Sequence, residues 1–516
     1  MAEKPILEMK DIHKTFDRSK ALDGVSFNLN AREIHGLLGG NGAGKTTLMN
    51  TLFGLYKKDS GEITLHGNPV QISSPRDALD LHIGMVHQHF LQISAFNVLE
   101  NIVLGTEVEK KYSMDLSAEN TLIQALQKRF NIDVDLNAMM DDLPMGSRQK
   151  VEILKALYRG VQILILDEPT TNLTPQEVDD LFHTLRVMVE EGLSIVFITH
   201  KLREVLSVCD RISVLRNGRN VITLNKNEAS EEMFVRGMVG DEMDIQNSVI
   251  FTHAKSQIGT TKINPEISLK VENVGVTTKE GIQQLKEVSF EIHQGEILGI
   301  AGVAGNGQRE LAEAILGIIQ LSSGKILLEN EDLESAETDK RIQRGIAYIP
   351  EDRLHDGFLP KASVAQNLIL GYHKNDPYSS RGFINWKTVT QVSEKLINTF
   401  NIKTSGPSDT GGNLSGGNIQ RVLIARAFSR PAILLIAHNP TRGLDIPSMD
   451  FIYSKILEEK NKGMATLLIS EDLDELLLLS DRIAVIYKGE LVGFLDREKF
   501  ERYEIGRMMS GYRVEA

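Results

Sequence analysis

Gly39-Gly40-Asn41-Gly42-Ala43-Gly44-Lys45-Thr46-Thr47 decides the reading of this chain. It fits the pattern G-x-x-x-x-G-K-[S or T], with a strand-like Ile34-His35-Gly36-Leu37-Leu38 before it and a helix-like run, residues 46–54, after it. Glycines in such a loop let backbone N–H groups turn toward phosphates, and the following helix N-terminus adds positive potential. Lys45 can then reach the outer phosphates, and the Thr46 hydroxyl can ligate magnesium.

Further along, the apolar run Ile163-Leu164-Ile165-Leu166 delivers Asp167 and Glu168 to the end of an expected buried strand. Two acids at a strand end suit metal-assisted phosphoryl chemistry. Asp167 would orient magnesium and its water, and Glu168 would accept the proton of the attacking water.

Outward from these motifs the chain repeats itself. Residues 21–39 match residues 284–302, aligning Phe27 with Phe290 and Gly39 with Gly302, an offset of 263. Leu143–Val151 match Leu414–Val422, and Cys209–Gly218 match Ser480–Gly489, both at an offset of 271. Each copy alternates short apolar runs with amphipathic segments, which reads as α/β. The expected organisation is a first domain over 1–240, a polar linker over 241–265 and a second domain over 266–516.

Together these segments resemble the ATP-binding-cassette ATPases, and the resemblance covers both halves. Residues 164–170, LILDEPT, are similar to the family's acidic strand end. Gln88 resembles the glutamine of its glutamine loop, His200 its switch histidine, and Leu414-Ser415-Gly416-Gly417-Asn418 its signature. The resemblance implies two tandem P-loop domains, each with a RecA-like α/β core, an antiparallel β subdomain and an α-helical signature subdomain. It implies ATP and Mg2+ as ligands, with Glu168, His200 and Gln88 catalytic and Thr46, Gln88 and Asp167 at the metal. Nucleotide contacts carry over to Gly39, Asn41, Gly42, Gly44, Lys45, Thr46, Thr47, Ser415, Gly416 and Gly417. Phe16 fits the aromatic that stacks on adenine, and a core phenylalanine fits the same segment.

By the same offsets the second copy has lost its chemistry. Lys45 falls on Gln308, Thr46 on Arg309, Gln88 on Glu351, Asp167 on His438, Glu168 on Asn439 and His200 on Glu471. The signature is degenerate in the opposite copy, where Leu143-Pro144-Met145-Gly146-Ser147 offers a proline without an N–H. In the family each ATP lies between one cassette's phosphate loop and the other's signature. That rule unites Lys45, Asp167 and Glu168 with Ser415, Gly416 and Gly417, and leaves Gln308 and His438 facing Pro144. Asp445 would approach the complete site, whereas Thr174 replaces it in the other copy. One complete and one dead site follow; for the second loop two readings stand, an empty loop or a structural nucleotide held by its glycines.

Composition sets the partners. With 57 Lys plus Arg against 70 Asp plus Glu, the formal charge is −13, which argues against a nucleic-acid grip. Cys209 is the only cysteine, so disulfides within the chain and cysteine zinc clusters are excluded. No apolar run approaches the length of a membrane span, and Met1–Lys10 lacks a signal-peptide core. The tandem form, Pro350-Glu351-Asp352-Arg353 and Pro440–Asp445 resemble the bacterial simple-sugar and nucleoside importer group, with features leaning to nucleoside over monosaccharide. That implies two transmembrane permease subunits, an extracytoplasmic binding protein and a peripheral place on the cytoplasmic membrane face. A soluble tandem cassette working on ribosomes or DNA is the remote rival.

Overall fold

The computed structural model describes residues 5–16, 19–88, 90–105, 116–171, 173–228, 230–240, 248–250 and 263–513. The chain divides into two compact units, Met1–Met243 and Asp244–Ala516. Most of the expected linker and His89 lie outside the described residues. Within the linker, Ser248 is buried, and its hydroxyl and the Ile250 N–H both donate to Asp450 Oδ1 (2.7 and 3.0 Å), so this piece belongs to the second unit.

In the first unit, β1 (Leu7–Phe16), β2 (Ser19–Leu29), β4 (Ser60–Leu65) and β5 (Asn68–Pro69) form an antiparallel sheet in the order β2-β1-β4-β5. A second sheet contains β3 (Ile34–Leu38), β6 (Ile83–Val86), β7 (Ile163–Asp167), β8 (Ser194–Thr199), β9 (Arg211–Arg216) and β10 (Arg219–Asn225), ordered β10-β9-β3-β8-β7-β6. Every residue of β3, β7 and β8 is buried, the run of unbroken burial that a parallel strand covered on both faces requires. The helices Val98–Val103, Leu116–Phe130 and Met145–Tyr158 add the helical part.

The second unit repeats this plan. Its antiparallel sheet is β12-β11-β14-β15, from β11 (Ile267–Thr277), β12 (Gln283–His293), β14 (Ser323–Leu328) and β15 (Glu331–Asp332). Its larger sheet is β16-β19-β20-β13-β21-β22, from β13 (Ile297–Ala301), β16 (Ile346–Ile349), β19 (Leu434–His438), β20 (Ala465–Ser470), β21 (Arg482–Tyr487) and β22 (Glu490–Asp496). A short hairpin of β17 (Ser379–Ser380) and β18 (Phe383–Ile384) precedes the helix Trp386–Thr399. Alternate residues of β13 face two cores: Leu298 and Ile300 pack with the antiparallel sheet, Ile297 and Ala301 with the helices. Cys209 is fully buried and its thiol is pushed well up by that burial, so it is a packing residue against Gly36.

Register fixes the working end of each sheet. Leu38 pairs with Thr199, and Asp167 with Ile198, so β3, β7 and β8 end level, which places the phosphate loop, the acids and His200 together. In the second unit Ala301 pairs with Ser470, and His438 with Ile469.

Behind that end lies a buried acid in each unit. Glu204 accepts from Thr170 (2.6 Å) and Thr199 (2.8 Å). Its repeat counterpart Glu475 accepts from Thr441 (2.7 Å), and burial, with the charge of Asp472 adding to it, pushes its carboxyl from 4.5 up to about 7. A carboxyl raised in the folded state contributes its full stability below the unfolded value and loses it as pH climbs through the folded value. The window here is from about 4.5 to about 7. Glu475→Gln is expected to flatten the pH dependence of thermal stability, removing a penalty on the order of 2–3 kcal/mol near pH 8. Melting curves near pH 5 and near pH 8 test it, and an unchanged gap between them would refute the assignment.

Candidate functional site

The first unit's phosphate loop is shaped by two close approaches. A Cβ on Gly39 would sit 2.4 Å from the Leu215 carbonyl oxygen, and Gly44, at φ 102°, turns the chain into the helix Lys45–Leu52. Gly42 is exposed, and a Cβ there would meet nothing within 4 Å, so the loop's outer side is open. Lys45 is buried, and its ammonium donates to the carbonyls of Gly39 (2.7 Å) and Gly40 (3.1 Å). Burial lowers its pKa, opposed by the charges of Glu168 and Asp167. Asn41 and Thr47 lie half-buried on either side, and Thr46 is exposed.

Thr46 and Asp167 come together as expected, the hydroxyl 3.4 Å from Asp167 Oδ1. Asp167 is 3% exposed, and burial pushes its carboxyl up to about 6. A hydroxyl and a buried, under-compensated carboxylate are hard oxygen donors, the set that fits Mg2+, which keeps most of its shell in water and phosphate oxygens. Among the described residues no cluster of three or more His, Cys, Asp or Glu forms a metal cage.

Glu168 follows β7 with a left-handed backbone at φ 48°, a conformation glutamate seldom adopts. Its N–H donates to Ile198 O (2.9 Å), which anchors the turn. One carboxylate oxygen accepts from Gln88 Nε2 (3.0 Å), and the other meets His200 Nδ1 (3.0 Å). Burial pushes the Glu168 carboxyl up, but the hydrogen bond and charge of His200, helped by Lys45 and Lys201, outweigh it and leave the pKa lowered. The group is therefore an ionised acceptor at neutral pH. Gln88 has its amide nitrogen on Glu168 rather than on the Thr46–Asp167 pair. His87 packs edge-on against Phe53 (centroids 5.9 Å apart).

Phe16 is 40% exposed at the end of β1, which removes the core alternative. Its ring meets Tyr56 edge-on at 5.1 Å, with Lys14 Nζ 5.2 Å from its centroid.

In the second unit the loop keeps its shape and fills itself. Gln308 is buried, donates through Nε2 to Val303 O (3.0 Å) and accepts from the Asn306 N–H (3.0 Å). Arg309, where Thr46 stands in the first copy, is bound to Glu313 (2.7 Å) and Asp356 (3.2 Å). Asn439 retains the left-handed turn at φ 45°. Glu351 accepts from Asn439 Nδ2 (3.1 Å) and Arg442 Nη1 (2.6 Å), and His438 Nε2 lies 3.6 Å away. This ion-paired cluster was missed by sequence reasoning, because Arg442 lies 91 residues from Glu351 and no local pattern joins them.

Ser415 and Gly416 are exposed and Gly417 half-buried at the start of the helix Gly416–Ala427. In the first unit Pro144 opens the helix Met145–Tyr158, and Gly146 is wedged so that a Cβ would meet Glu177 Oε1 at 2.4 Å. Asp445 and Thr174 both cap helices: Asp445 accepts from the Ser448 N–H (3.0 Å), and Thr174 forms a capping box with Glu177. The difference between them therefore also has a local, capping role.

The ABC transporter family model matches residues 22–171 and 285–442. The chain belongs to the ABC transporter family. It is an ATP-binding, ATP-hydrolysing member built as a tandem repeat. It is 39% identical to the nucleoside import ATP-binding protein of Lactococcus lactis subsp. cremoris over 99% of both chains. It is 40% identical to the glucose import ATP-binding protein of Haloferax volcanii, over 99% of this chain and 96% of that one. It is 33% identical to the ribose import ATP-binding protein of Bacillus subtilis, over 98% of this chain and all of that one. The Haloferax relative is archaeal, so this likeness is not confined to bacteria. Among the described residues no helix is long and apolar enough to cross a membrane.

Proposed function

We propose that this ABC ATPase hydrolyses ATP at one complete site to drive uptake of a small polar solute through a membrane importer. The observation that carries the asymmetry is the contrast between Lys45, a cation in the first loop, and Gln308, a neutral amide that both donates to Val303 O and accepts the Asn306 N–H of the second loop. The complete site pairs Lys45, Thr46, Asp167, Glu168, Gln88 and His200 with Ser415, Gly416 and Gly417. In it Lys45 binds the outer phosphates, and Phe16, exposed at a strand end, stacks on adenine. Glu168 takes the proton of the attacking water, oriented by Gln88 and His200. Mg2+, held by Thr46 and Asp167, supplies charge neutralisation on the phosphates when bound. Two permease subunits and a separate binding protein complete the machine, at the cytoplasmic face of the membrane.

Monosaccharide is the solute class the relatives support better, from the glucose importer at 40% identity to the ribose importer covered over its full length. Sequence motifs put nucleoside first, and two observations keep it as the second reading: the 39% identical nucleoside importer, and a second strand end with His438 and Asn439 in place of acids. Uptake of labelled ribose, glucose and nucleoside into cells lacking this chain, complemented with wild type or Lys45→Ala, decides between them. Sugar uptake restored by wild type alone supports the first reading; nucleoside uptake alone replaces it with the second. If neither returns, another small solute or the soluble tandem-cassette rival takes their place.

A further inference from the structure

Pro350-Glu351-Asp352-Arg353 lies in the segment after β16, and the site chemistry above leaves its last residue without a task. Asp352 fixes the turn there by accepting from the N–H groups of Leu354 and His355, both at 3.0 Å. Arg353 projects from that turn and donates to two carbonyl oxygens far apart in sequence. Nη1 reaches Gly416 O (3.4 Å) and Nη2 reaches Arg442 O. Gly416 belongs to the signature, and Arg442 stands three residues before Asp445. Glu351 adds a second tie to the same segment through the Arg442 side chain (2.6 Å) and Asn439 (3.1 Å). Arg353, Glu351, Gly416, Arg442 and Gly443 share the wall of a cavity of about 530 Å3. The guanidinium therefore bridges backbone across an open cleft rather than filling the core. By the repeat offset its counterpart in the first unit is Phe90, which has no side-chain donor, so the clamp is not copied at that position.

We propose that Arg353 is a positioning residue for ATP hydrolysis. It ties the segment after β16 to the two backbone stretches, Ser415–Gly417 and Thr441–Asp445, that complete the first unit's phosphate site. This rests on the pairing of sites proposed above. A planar guanidinium with fixed, divergent donors suits the role, because it can hold two carbonyls in one geometry where an ammonium holds them loosely. A small displacement of the signature N–H groups would misplace them at the phosphate without disturbing Lys45, so turnover should suffer and nucleotide capture should not.

The test uses the purified full-length chain and MgATP. Arg353→Ala and Arg353→Phe, the latter copying the first unit, are expected to lower kcat about tenfold with KM within about twofold, and Arg353→Lys to recover part of the loss. Amide exchange at residues 416–420 and 441–445 should quicken in Arg353→Ala while β13 and β20 stay protected, which separates positioning from general unfolding. Gly417→Asp provides the control on the pairing, since a Cβ there would meet only Ser448 Oγ within 4 Å, at an ordinary 3.6 Å, and a melting curve checks that the variant folds. Loss of turnover in Gly417→Asp with normal kcat in Arg353→Ala overturns the clamp and keeps the pairing. Normal turnover in Gly417→Asp overturns the pairing and the clamp with it. A raised KM with intact kcat in Arg353→Ala would make it a nucleotide contact, which also overturns the proposal.

Discussion

Glu168→Gln is expected to slow ATP turnover by about 10²- to 10⁴-fold while leaving ATP bound, the range for removal of a positioned general base. The substitution keeps the side chain's length and removes its charge. In the folded chain each Glu168 oxygen has its own partner, Gln88 Nε2 and His200 Nδ1, both at 3.0 Å. An amide can keep one of these contacts and must turn a donor toward the other. The backbone at φ 48° is unchanged, so the fold is expected to survive with an undiminished melting temperature. Nucleotide retained through gel filtration, together with single-turnover kinetics, reads the effect. Turnover within a few-fold of wild type would remove Glu168 from the role of base.

The second large effect is the contrast between Lys45→Ala and Gln308→Ala. Lys45 is 5% exposed and is the one cation set among the carbonyls of its phosphate loop, so its removal should abolish measurable hydrolysis and weaken ATP capture. Gln308 is about as buried, but it brings no charge, and its amide is taken up on both ends by Val303 O and the Asn306 N–H. Gln308→Ala should cost the second unit about 1–2 kcal/mol of stability and change ATPase rate less than about twofold. Steady-state ATPase assays on both variants, with melting curves alongside, separate them. Equal losses of activity would refute the asymmetric reading.

The strand, loop and helix around Lys45 were legible because each carries a local signal: the apolar Ile34, Leu37 and Leu38 of a short strand, a glycine-rich loop, then Leu48, Met49 and Leu52 at helical spacing. The same holds for Asp167 and Glu168, delivered by the apolar run of β7. The repeat exposed the changed residues of the second copy by alignment alone. What local pattern could not show were contacts between segments distant in sequence. Gln88 meets Glu168 across 80 residues, and Glu351 meets Arg442 across 91. Burial of single side chains was equally opaque, as Phe16 illustrates, since a strand-end phenylalanine reads alike in core and at the surface. Asp445 was read as reaching toward a site when its carboxylate also has a helix end to cap, a local duty that the same residue type performs anywhere.

The self-satisfied loop around Gln308 has a thermodynamic consequence for a cell whose energy supply changes. Anything that binds the folded form adds stability in proportion to the logarithm of its concentration. The first unit, whose loop must find its anion in solution, therefore stiffens and softens with the ATP level. The second unit carries its loop's hydrogen-bond partner in its own covalent structure, so the internal bonds of that loop do not vary with the ATP level. A fall in ATP would thus leave the first loop without its anion, while the second loop keeps the bonds it carries itself.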